Sequence, residues 1–335
     1  MDIFLASTSR QQFIHRLRSK RVKNGKVILF TGYDYFLQKL DLRNLLEKFQ
    51  EVVLVPRFID ETYLIQEAIS PLFHKYGDIH LVANPEYEER YRIIYEFAAR
   101  NNKSIKIITV YDFCEKHLRK VYVPDSVHER NPRLGKLKPK GVFQQVSKSF
   151  IDVSLASVLL AVTSPLWLLS RIRIAQQSPG PTFYKQKRIG LNYQEFDCVK
   201  FRSMRLDAEA FGAQFSSKRD KRVFGYGAFM RATRIDELPQ LLNIFRGDVS
   251  LVGPRPERRV FVESFEEMIP HYASRHVVKP GITGYAQVMY PYGTGVKDAR
   301  HKLMYDLYYI RNWSLGLELR IVWKTVVTVL SFGGF

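Results

Sequence analysis

The stretch Phe150–Ser170 is the one apolar run in this sequence that is long enough to cross a bilayer, which requires about twenty residues. Two features argue against a simple spanning helix. Asp152 places a carboxylate near its start, and Ser164-Pro165 interrupts its second half, where proline removes a backbone hydrogen bond and kinks a helix. We therefore expect a helix that enters lipid but does not follow a straight path through it.

Basic residues flank this run at both ends. Arg171 and Arg173 follow it, and four lysines precede it: Lys136, Lys138, Lys140 and Lys148. Because basic flanks stay on the cytoplasmic side, this pattern predicts a re-entrant helix that turns at Ser164 and Pro165 and returns to the same membrane face. A buried helix of a soluble core and a true transmembrane span are the alternative interpretations.

The N-terminal part of the chain alternates apolar runs of strand length with longer helical stretches. The candidate strands are Val27–Thr31, Val52–Pro56, Ile79–Ala83 and Ile105–Val110. The candidate helices are Phe36–Lys48, Glu61–Tyr76 and Tyr87–Asn101. This alternation predicts an α/β domain with a Rossmann-like parallel sheet. The turn after the first strand contains Gly32 but no G-x-G-x-x-G motif, so a regulatory or assembly role is favoured over dinucleotide binding.

A length of 335 residues is typical of two domains, each able to bury its own core. The segment Tyr122–Gly141 is rich in Pro, Arg and Lys and has the composition of a linker. The predicted organisation is an accessory domain over residues 1–121, a linker over 122–142 and a second domain over 143–335.

The composition narrows the choice of partner. A formal net charge of +19 requires an anionic partner, and nucleic acid, phospholipid headgroups and phosphorylated substrates all qualify. Zinc-finger spacing and RNA-binding aromatic motifs are absent from the sequence, and much of the charge flanks apolar segments, so nucleic acid is not the expected partner.

Cysteine usage and the N-terminus bear on the compartment. Cys114 and Cys198 lie far apart and form no C-x-x-C pattern, so neither a disulfide framework nor a zinc site is predicted. The apolar start Met1–Ala6 is too short for a signal peptide. We expect the bulk of the protein to stay in the cytoplasm.

Residues 231–257 contain the densest group of chemically useful side chains. Asp236 and Glu237 are adjacent, and a rigid turn with the sequence Gly-Pro-Arg-Pro carries Arg255. Adjacent residues on a helix point about 100° apart, so the two carboxylates would divide the labour between nucleophile and metal or proton partner. The alternative is an acidic helix N-terminus, in which Asp236 caps the helix and Glu237 complements its dipole.

Further motifs accompany this segment in a fixed order. They are Lys185-Gln186-Lys187-Arg188-Ile189-Gly190, the stretch Phe196–Met204, the stretch Lys279–Gln287 and the stretch Tyr305–Ser314. Together with residues 231–257 they resemble the bacterial sugar transferase family, the polyprenyl-phosphate hexose-1-phosphate transferases that begin exopolysaccharide and O-antigen assembly. The resemblance extends from about Phe143 to the C-terminus.

This resemblance implies a mainly helical monotopic domain on the cytoplasmic face of the inner membrane. It implies a UDP-sugar donor, undecaprenyl phosphate as acceptor, and UMP as a product, with glucose and galactose the leading candidate sugars. It also implies contact with membrane lipids and, because larger relatives are dimeric, a homodimer. Larger members often carry four transmembrane helices ahead of a Rossmann-like domain. This chain has no such hydrophobic quartet, so no role of that bundle is carried over.

The resemblance also assigns roles to single residues. It implies that Asp236 is the catalytic nucleophile of a covalent aspartyl-phosphosugar intermediate, with Glu237 as its partner, and that this pair binds Mg²⁺. Nearby arginines and a helix N-terminus would hold the pKa of Asp236 low. The candidate substrate-binding residues are Lys200, Arg202, Arg231, Arg234, Arg255, Tyr285 and Gln287.

Several of these residues have simpler interpretations. Arg255 is also compatible with a solvated surface turn, and Lys200 with a lysine that reaches lipid headgroups. Tyr285 and Gln287 are equally compatible with residues that line a loop. Asp248 is expected to brace a turn, and Asp306 is the weakest candidate.

The C-terminal segment Trp313–Phe332 alternates apolar residues with charges and contains Trp323, a residue type suited to the headgroup level. An interfacial helix and a helix packed on the protein's own core both fit this pattern. For the whole chain, a non-catalytic membrane-surface scaffold is the alternative to an enzyme. It accounts for the basic charge and the apolar helix but leaves the Asp236-Glu237 pair and the Arg255 turn unexplained.

Overall fold

The structure, a computed structural model, describes residues 14–31, 37–56, 60–83, 88–124, 131–135, 137, 141–208, 220–290, 293 and 295–330. The start Met1–Ala6, Gly32, the lysines at 136, 138 and 140 and the last residues of the C-terminal segment lie outside these ranges. The chain divides into two compact units, Met1–Tyr122 and Val123–Phe335. Each is described by itself.

The first unit is built on a five-stranded sheet in the order β1-β3-β2-β4-β5. Its strands are β1 (His15–Arg18), β2 (Lys26–Thr31), β3 (Glu51–Val55), β4 (Asp78–Ala83) and β5 (Ile105–Thr109). Strands β2 to β5 pair in parallel, and they coincide within one residue with the four predicted strands. The predicted parallel sheet is therefore confirmed.

The sequence pattern did not predict strand β1. It pairs antiparallel with β3, and its arginines hold that strand through charge as well as through the backbone. Arg16 and Arg18 lie 3.2 and 3.1 Å from the carboxylate of Glu51, which is fully buried. A four-residue strand with two arginines shows no apolar alternation, so its pairing depends on an acid 33 residues or more away in the sequence.

Helices cover the sheet of the first unit, as the alternation predicted. They are α1 (Lys39–Leu46), α2 (Glu61–Tyr63), α3 (Ser70–Lys75), α4 (Glu88–Arg100) and α5 (Val110–Phe113), with π-helical turns at Leu64–Ile69 and Cys114–Leu118. The core forms where strand residues such as Val53 and Leu81 pack against helical residues such as Leu72 and Ile94. Burial of these side chains stabilises the unit by removing apolar surface from water.

The second unit is mainly helical, with two small sheets. Its helices are α6 (Val142–Gln177), α7 (Gly225–Thr233), α8 (Leu241–Arg246), α9 (Arg259–Met268), α10 (Tyr285–Met289), α11 (Val296–Arg311) and α12 (Leu315–Leu330). Its strands are β6 (Phe183–Ile189), β7 (Glu195–Phe201), β8 (Ser250–Val252) and β9 (Gly281–Thr283). Strands β6 and β7 form an antiparallel hairpin, and β8 and β9 pair in parallel.

Helix α6 runs for 36 residues and is not interrupted at Ser164-Pro165. Proline cannot donate to the carbonyl oxygen four residues earlier, which is that of Ala161. The Ser164 hydroxyl donates to this oxygen instead, at 2.8 Å. The serine thus satisfies the carbonyl oxygen that Pro165 leaves without a backbone donor, and the helix continues past the proline. A bend of the helix axis at this point stays a prediction.

Most apolar side chains of α6 point away from the protein. In its most apolar window of 18 residues, 11% of the residues are buried, which argues against a helix of a soluble core. Among the described helices it alone is long and apolar enough to cross a membrane. Its two ends nevertheless contact the folded unit: Asp152 and Ala156 are buried near the start, and Ser170 and Ile174 near the end.

Helix α12 has one buried and one exposed face. Glu318 and Ile321 are buried, whereas the apolar residues Leu319, Trp323 and Leu330 are exposed. Packing on the protein's own core is therefore confirmed for one face, and an interfacial location of the other face stays a prediction. One face packs on the core, and the other offers apolar surface.

Candidate active site

The candidate site is assembled from three segments of the second unit. Strand β7 supplies Lys200, a short 3-10 helix at Ile235–Gln240 supplies Asp236 and Glu237, and the turn after β8 supplies Arg255. The 3-10 helix starts abruptly because Arg234, which ends α7, adopts a left-handed backbone conformation with φ of 59°. This reversal directs both carboxylates toward β7.

Asp236 does not cap its helix. The N-cap position is Arg234, which makes no side-chain capping bond, and Asp236 lies two residues further on, in the first turn. The interpretation of Asp236 as a capping residue is therefore wrong. Both carboxylates are buried, although the sequence placed them at a helix start where acids are usually solvated.

Glu237 is neutralised by two cations. Its Oε1 lies 2.9 Å from Lys200 Nζ and 2.8 Å from a guanidinium nitrogen of Arg255. Burial alone would raise the pKa of Glu237, but the charges of Arg255 and Lys200 outweigh it and hold that pKa well below its usual value. Glu237 is therefore ionised at neutral pH, and it fixes both cations beside Asp236.

Asp236 has the opposite environment. Burial and the adjacent charge of Glu237 raise the pKa of Asp236 to about 6, and the positive charges of Lys200, Arg231 and Arg234 limit the rise. The expectation of a low pKa is wrong, because desolvation outweighs the arginines. The Oδ1 atom of Asp236 is buried and has no hydrogen-bond partner among the described residues.

The two adjacent carboxylates are thus electrostatically different. One is paired and ionised, and the other carries an uncompensated buried oxygen. An unsatisfied buried polar atom costs about 1–3 kcal/mol, so such an atom in a folded protein calls for an explanation, for example in catalysis. Carboxylates whose pKa values are separated by their environment are a common sign of divided chemical roles.

Arg275 holds the backbone of the turn that carries Arg255. It donates to the Arg255 carbonyl oxygen at 2.8 Å and to the Asp306 carboxylate at 2.9 Å, and a further nitrogen donates to the Tyr272 hydroxyl at 2.6 Å. Arg275 and Asp306 are both almost fully buried. Sequence reasoning missed Arg275 and ranked Asp306 last, because nothing in their local pattern shows that they meet across 31 residues.

The same turn is also held by close backbone contact between residues 253–254 and residues 281–283. The N–H of Gly253 donates to Thr283, and the N–H of Gly281 donates to Pro254, both at 2.9 Å. A Cβ atom on Gly281 would lie 2.0 Å from the Gly253 nitrogen, so no larger residue fits. Two motifs whose glycines, Gly253 and Gly281, are 28 residues apart in the sequence are therefore in direct contact in the fold.

The structure does not bring Arg202 to the two carboxylates. Its guanidinium donates to the Ser178 hydroxyl at 2.6 Å, to the Ser178 carbonyl and to the Pro181 carbonyl at 2.7 Å. These bonds secure the chain just after α6. The positive charges of Arg231 and Arg234 lower the pKa of Asp236, and their assignment to substrate binding stays a prediction.

Tyr285 and Gln287 belong to the packing beneath the site. The Tyr285 ring is buried against Tyr305 and Tyr308, with ring centroids 5.6 and 5.7 Å apart. Gln287 donates to the Ile282 carbonyl oxygen at 3.1 Å and holds the turn before α10. These contacts favour the loop-lining interpretation for both residues.

Asn243 is a further residue that sequence reasoning missed. Its fully buried amide accepts from the Val199 N–H, donates to Asp197 and donates to the Asp248 carboxylate at 2.9 Å. It thereby joins α8 to the strand that carries Lys200. Asp248 braces the turn after α8, as its position predicted.

Over the ranges that the structure describes, no group of three or more His, Cys, Asp or Glu side chains is arranged to hold a metal ion. The free Oδ1 of Asp236 beside the Glu237 carboxylate nevertheless suits Mg²⁺, which binds oxygen and often takes only one or two protein carboxylates. The residues present therefore fit such an ion.

Comparison with known proteins supplies the class. A family model described as bacterial sugar transferase matches residues 143–332, which cover α6, the site and α12. The chain therefore belongs to the bacterial sugar transferase family, and the resemblance seen in the sequence is confirmed.

Three relatives illustrate the range of the similarity. The chain is 43% identical over 207 residues (62% of this chain, 48% of the relative) to a UDP-N-acetylgalactosamine-undecaprenyl-phosphate N-acetylgalactosaminephosphotransferase of Aeromonas hydrophila. It is 43% identical over 189 residues (56% and 39%) to a UDP-glucose:undecaprenyl-phosphate glucose-1-phosphate transferase of Xanthomonas campestris pv. campestris. It is 39% identical over 194 residues (56% and 97%) to the exopolysaccharide production protein PSS of Rhizobium leguminosarum bv. phaseoli. The chain thus spans less than half the length of the first two relatives.

Replacing Arg275 by methionine tests the support beneath the site. The change leaves the Asp306 carboxylate buried without its cation, so we expect a loss of about 3–5 kcal/mol in unfolding free energy. All three tryptophans lie in the second unit, so their fluorescence during denaturation reports its unfolding. Arg259→Met, which breaks an exposed ion pair with Glu195, is the matched control and should change little. Equal effects of the two substitutions would contradict the proposed support.

Proposed function

We propose that this protein transfers a hexose-1-phosphate from a UDP-sugar to undecaprenyl phosphate, releases UMP and so starts exopolysaccharide or O-antigen synthesis. The observation that carries the proposal is the buried, unpartnered Oδ1 of Asp236 beside a Glu237 that is already neutralised. A non-catalytic scaffold has no use for such an oxygen. The names of the relatives, which include a glucose-1-phosphate and an N-acetylgalactosamine phosphate transferase, support the reaction class.

The reaction proceeds in two steps through Asp236. Its carboxylate oxygen attacks the phosphorus that bears the sugar, a new O–P bond forms, and the bond to UMP breaks with its electron pair leaving on UMP. A phosphate oxygen of the lipid then attacks the same phosphorus and displaces Asp236. Direct attack of one phosphate on another is electrostatically unfavourable, so a covalent intermediate divides one hard step into two easier ones.

The cations serve the phosphates in both steps. Arg255 uses one nitrogen for Glu237, and its partly exposed guanidinium retains donors for a phosphate oxygen. Lys200 adds a second positive charge beside Glu237, at the same carboxylate oxygen. Arg231 and Arg234 add further positive charge near Asp236, which would attract the anionic donor. Electrostatic stabilisation of this kind is usually the largest single contribution to phosphoryl transfer.

Mg²⁺ is the proposed cofactor, held by Asp236 and Glu237 together with oxygens of the donor. When bound, it would neutralise charge on the diphosphate. Glu237 Oε1 is already engaged by two cations, so the ion would rely on the other carboxylate oxygens of this pair. A small number of protein ligands is typical of this ion.

The placement of α6 favours a site at the cytoplasmic face of the inner membrane. Asp152 near its start and Ser170 near its end both contact the second unit, through Leu251 and through Tyr226. If α6 spanned the bilayer, these two residues would lie on opposite faces, and one folded unit cannot contact both. We therefore propose a re-entrant helix bent at Ser164-Pro165, with the exposed face of α12 at the interface.

The mechanism predicts an adduct on Asp236. The full chain incubated with Mg²⁺ and a UDP-sugar, with no lipid acceptor, should gain the mass of one hexose phosphate on the peptide that contains Asp236. UDP-glucose, UDP-galactose and UDP-N-acetylgalactosamine form the donor panel, and excess EDTA should prevent the adduct. Asp236→Asn should lower turnover by several orders of magnitude and carry no adduct. Substantial turnover by Asp236→Asn with sequential kinetics would instead support direct attack by the lipid.

The raised pKa of Asp236 predicts the pH dependence. Only the ionised carboxylate attacks, and its pKa is about 6, so the rate of adduct formation should fall as the pH drops through 6. Between pH 7 and pH 5 the fall should be about tenfold. Because the charge of Lys200 lowers this pKa, Lys200→Gln should shift the midpoint to higher pH. A midpoint near 4 in the wild type would show that burial does not govern this group.

A re-entrant α6 predicts that both of its ends are reached from one side. Single cysteines at the exposed positions Gln144 and Arg173, in a background with Cys114 and Cys198 replaced by alanine, should react with an impermeant maleimide only from the cytoplasm. A cysteine at the exposed Glu267 of α9 marks the face of the folded unit. Labelling of the two helix ends from opposite sides would establish a spanning helix.

A further inference from the structure

A cluster of buried charges joins α6 to α12 away from the candidate site. Lys148 of α6 lies 2.6 Å from Glu318 Oε1 of α12 and 3.4 Å from Asp152 one turn further along α6. All three residues are almost fully buried. The sequence suggested only a basic flank for Lys148 and a flaw in the apolar run for Asp152.

Each acid of this cluster also reaches β8. The Asp152 carboxylate lies beside the Leu251 N–H and the Ser250 hydroxyl, which favour its ionised form. The Tyr309 hydroxyl lies 2.7 Å from Glu318 Oε1 and 3.0 Å from the Val252 carbonyl oxygen. The strand β8 consists of only these three residues, so the cluster holds it along its whole length.

The end of β8 leads directly into the candidate site. Val252 is followed by Gly253 and Pro254, and then by Arg255, whose guanidinium contacts Glu237 at 2.8 Å. A displacement of β8 therefore moves Arg255 relative to the two carboxylates. Misplacement of a catalytic group by about 1 Å can cost a hundredfold in rate.

The main effect of the cluster is to fix one arrangement of the helices, and its contribution to stability is secondary. Apolar residues of similar size would stabilise the packing of α6 on α12 as well as or better than buried charges. Glu318 Oε1 accepts from Lys148, from Tyr309 and from the Trp313 indole at 2.6 Å, a set of donors that only one register of the helices satisfies. Such a network fixes one arrangement of α6, α12 and β8.

We propose that Lys148, Asp152 and Glu318 are positioning residues that hold β8, and through it the turn that carries Arg255, against the catalytic carboxylates. The inference rests on the function proposed above and adds a link between the lipid-contacting helix and phosphate binding. These residues do not touch the substrate; they act through Arg255.

Hydrogen exchange tests the link without any need for turnover. In the full chain in detergent micelles, Glu318→Gln should raise the exchange rate severalfold in peptides that cover residues 250–257. Tyr309→Phe keeps the ring in the core, removes only the hydroxyl between Glu318 and Val252, and should do the same. Glu263→Gln, the same change at an exposed position of α9, is the control. Unchanged exchange in 250–257 in both variants would overturn the proposal.

A double-mutant cycle then tests the route through Arg255. Glu318→Gln should lower kcat/KM for the UDP-sugar roughly tenfold. In an Arg255→Lys background it should have little further effect, because the group that it positions is already impaired. If the fold decrease in kcat/KM of the double variant equalled the product of the fold decreases of the two single variants, the two residues would act independently. That result would mean that Glu318 acts elsewhere and would overturn the proposal. Absence of UMP release by the wild type would refute the proposed function, while hydrogen exchange would still decide whether the cluster holds the turn.

Discussion

The structure of the site depends on the neutralisation of one buried carboxylate next to another. Asp236 and Glu237 are adjacent and both buried, so an uncompensated pair of charges would be costly. Lys200 and Arg255 resolve this for Glu237 alone. The result is an ionised anchor beside a carboxylate with a raised pKa and a free oxygen, which is a suitable arrangement for a nucleophile at neutral pH.

This arrangement requires Arg255 to be held in place, and the fold does so without using the side chain of Arg255 itself. Arg275 bonds to its carbonyl oxygen, and Gly253 and Gly281 allow two backbone segments to approach closely. These contacts hold the backbone of the turn, and the Arg255 guanidinium stays partly exposed. A turn held from two sides loses little entropy when a ligand binds.

The long apolar helix α6 obeys a different constraint. Its exposed apolar face suits hydrocarbon, where every backbone polar group needs an internal partner. The Ser164 hydroxyl satisfies the carbonyl that Pro165 leaves free, so the pair can appear in lipid without an unsatisfied group. The polar side chains of this helix, including Asp152, lie where it meets the folded unit and connect it to the strand that leads to the site.

The sequence by itself determined the elements whose signals are local. Periodicity located the four parallel strands and the long apolar helix, and the motif order identified the family. Strand β1 was not predicted, because its pairing depends on Glu51, an acid distant in the sequence. The tertiary structure alone decided the chemistry of the site: burial reversed the expected pKa of Asp236, and Arg202 proved to be engaged elsewhere. Desolvation and pairing between distant residues depend on what surrounds a group in space, which no local pattern contains.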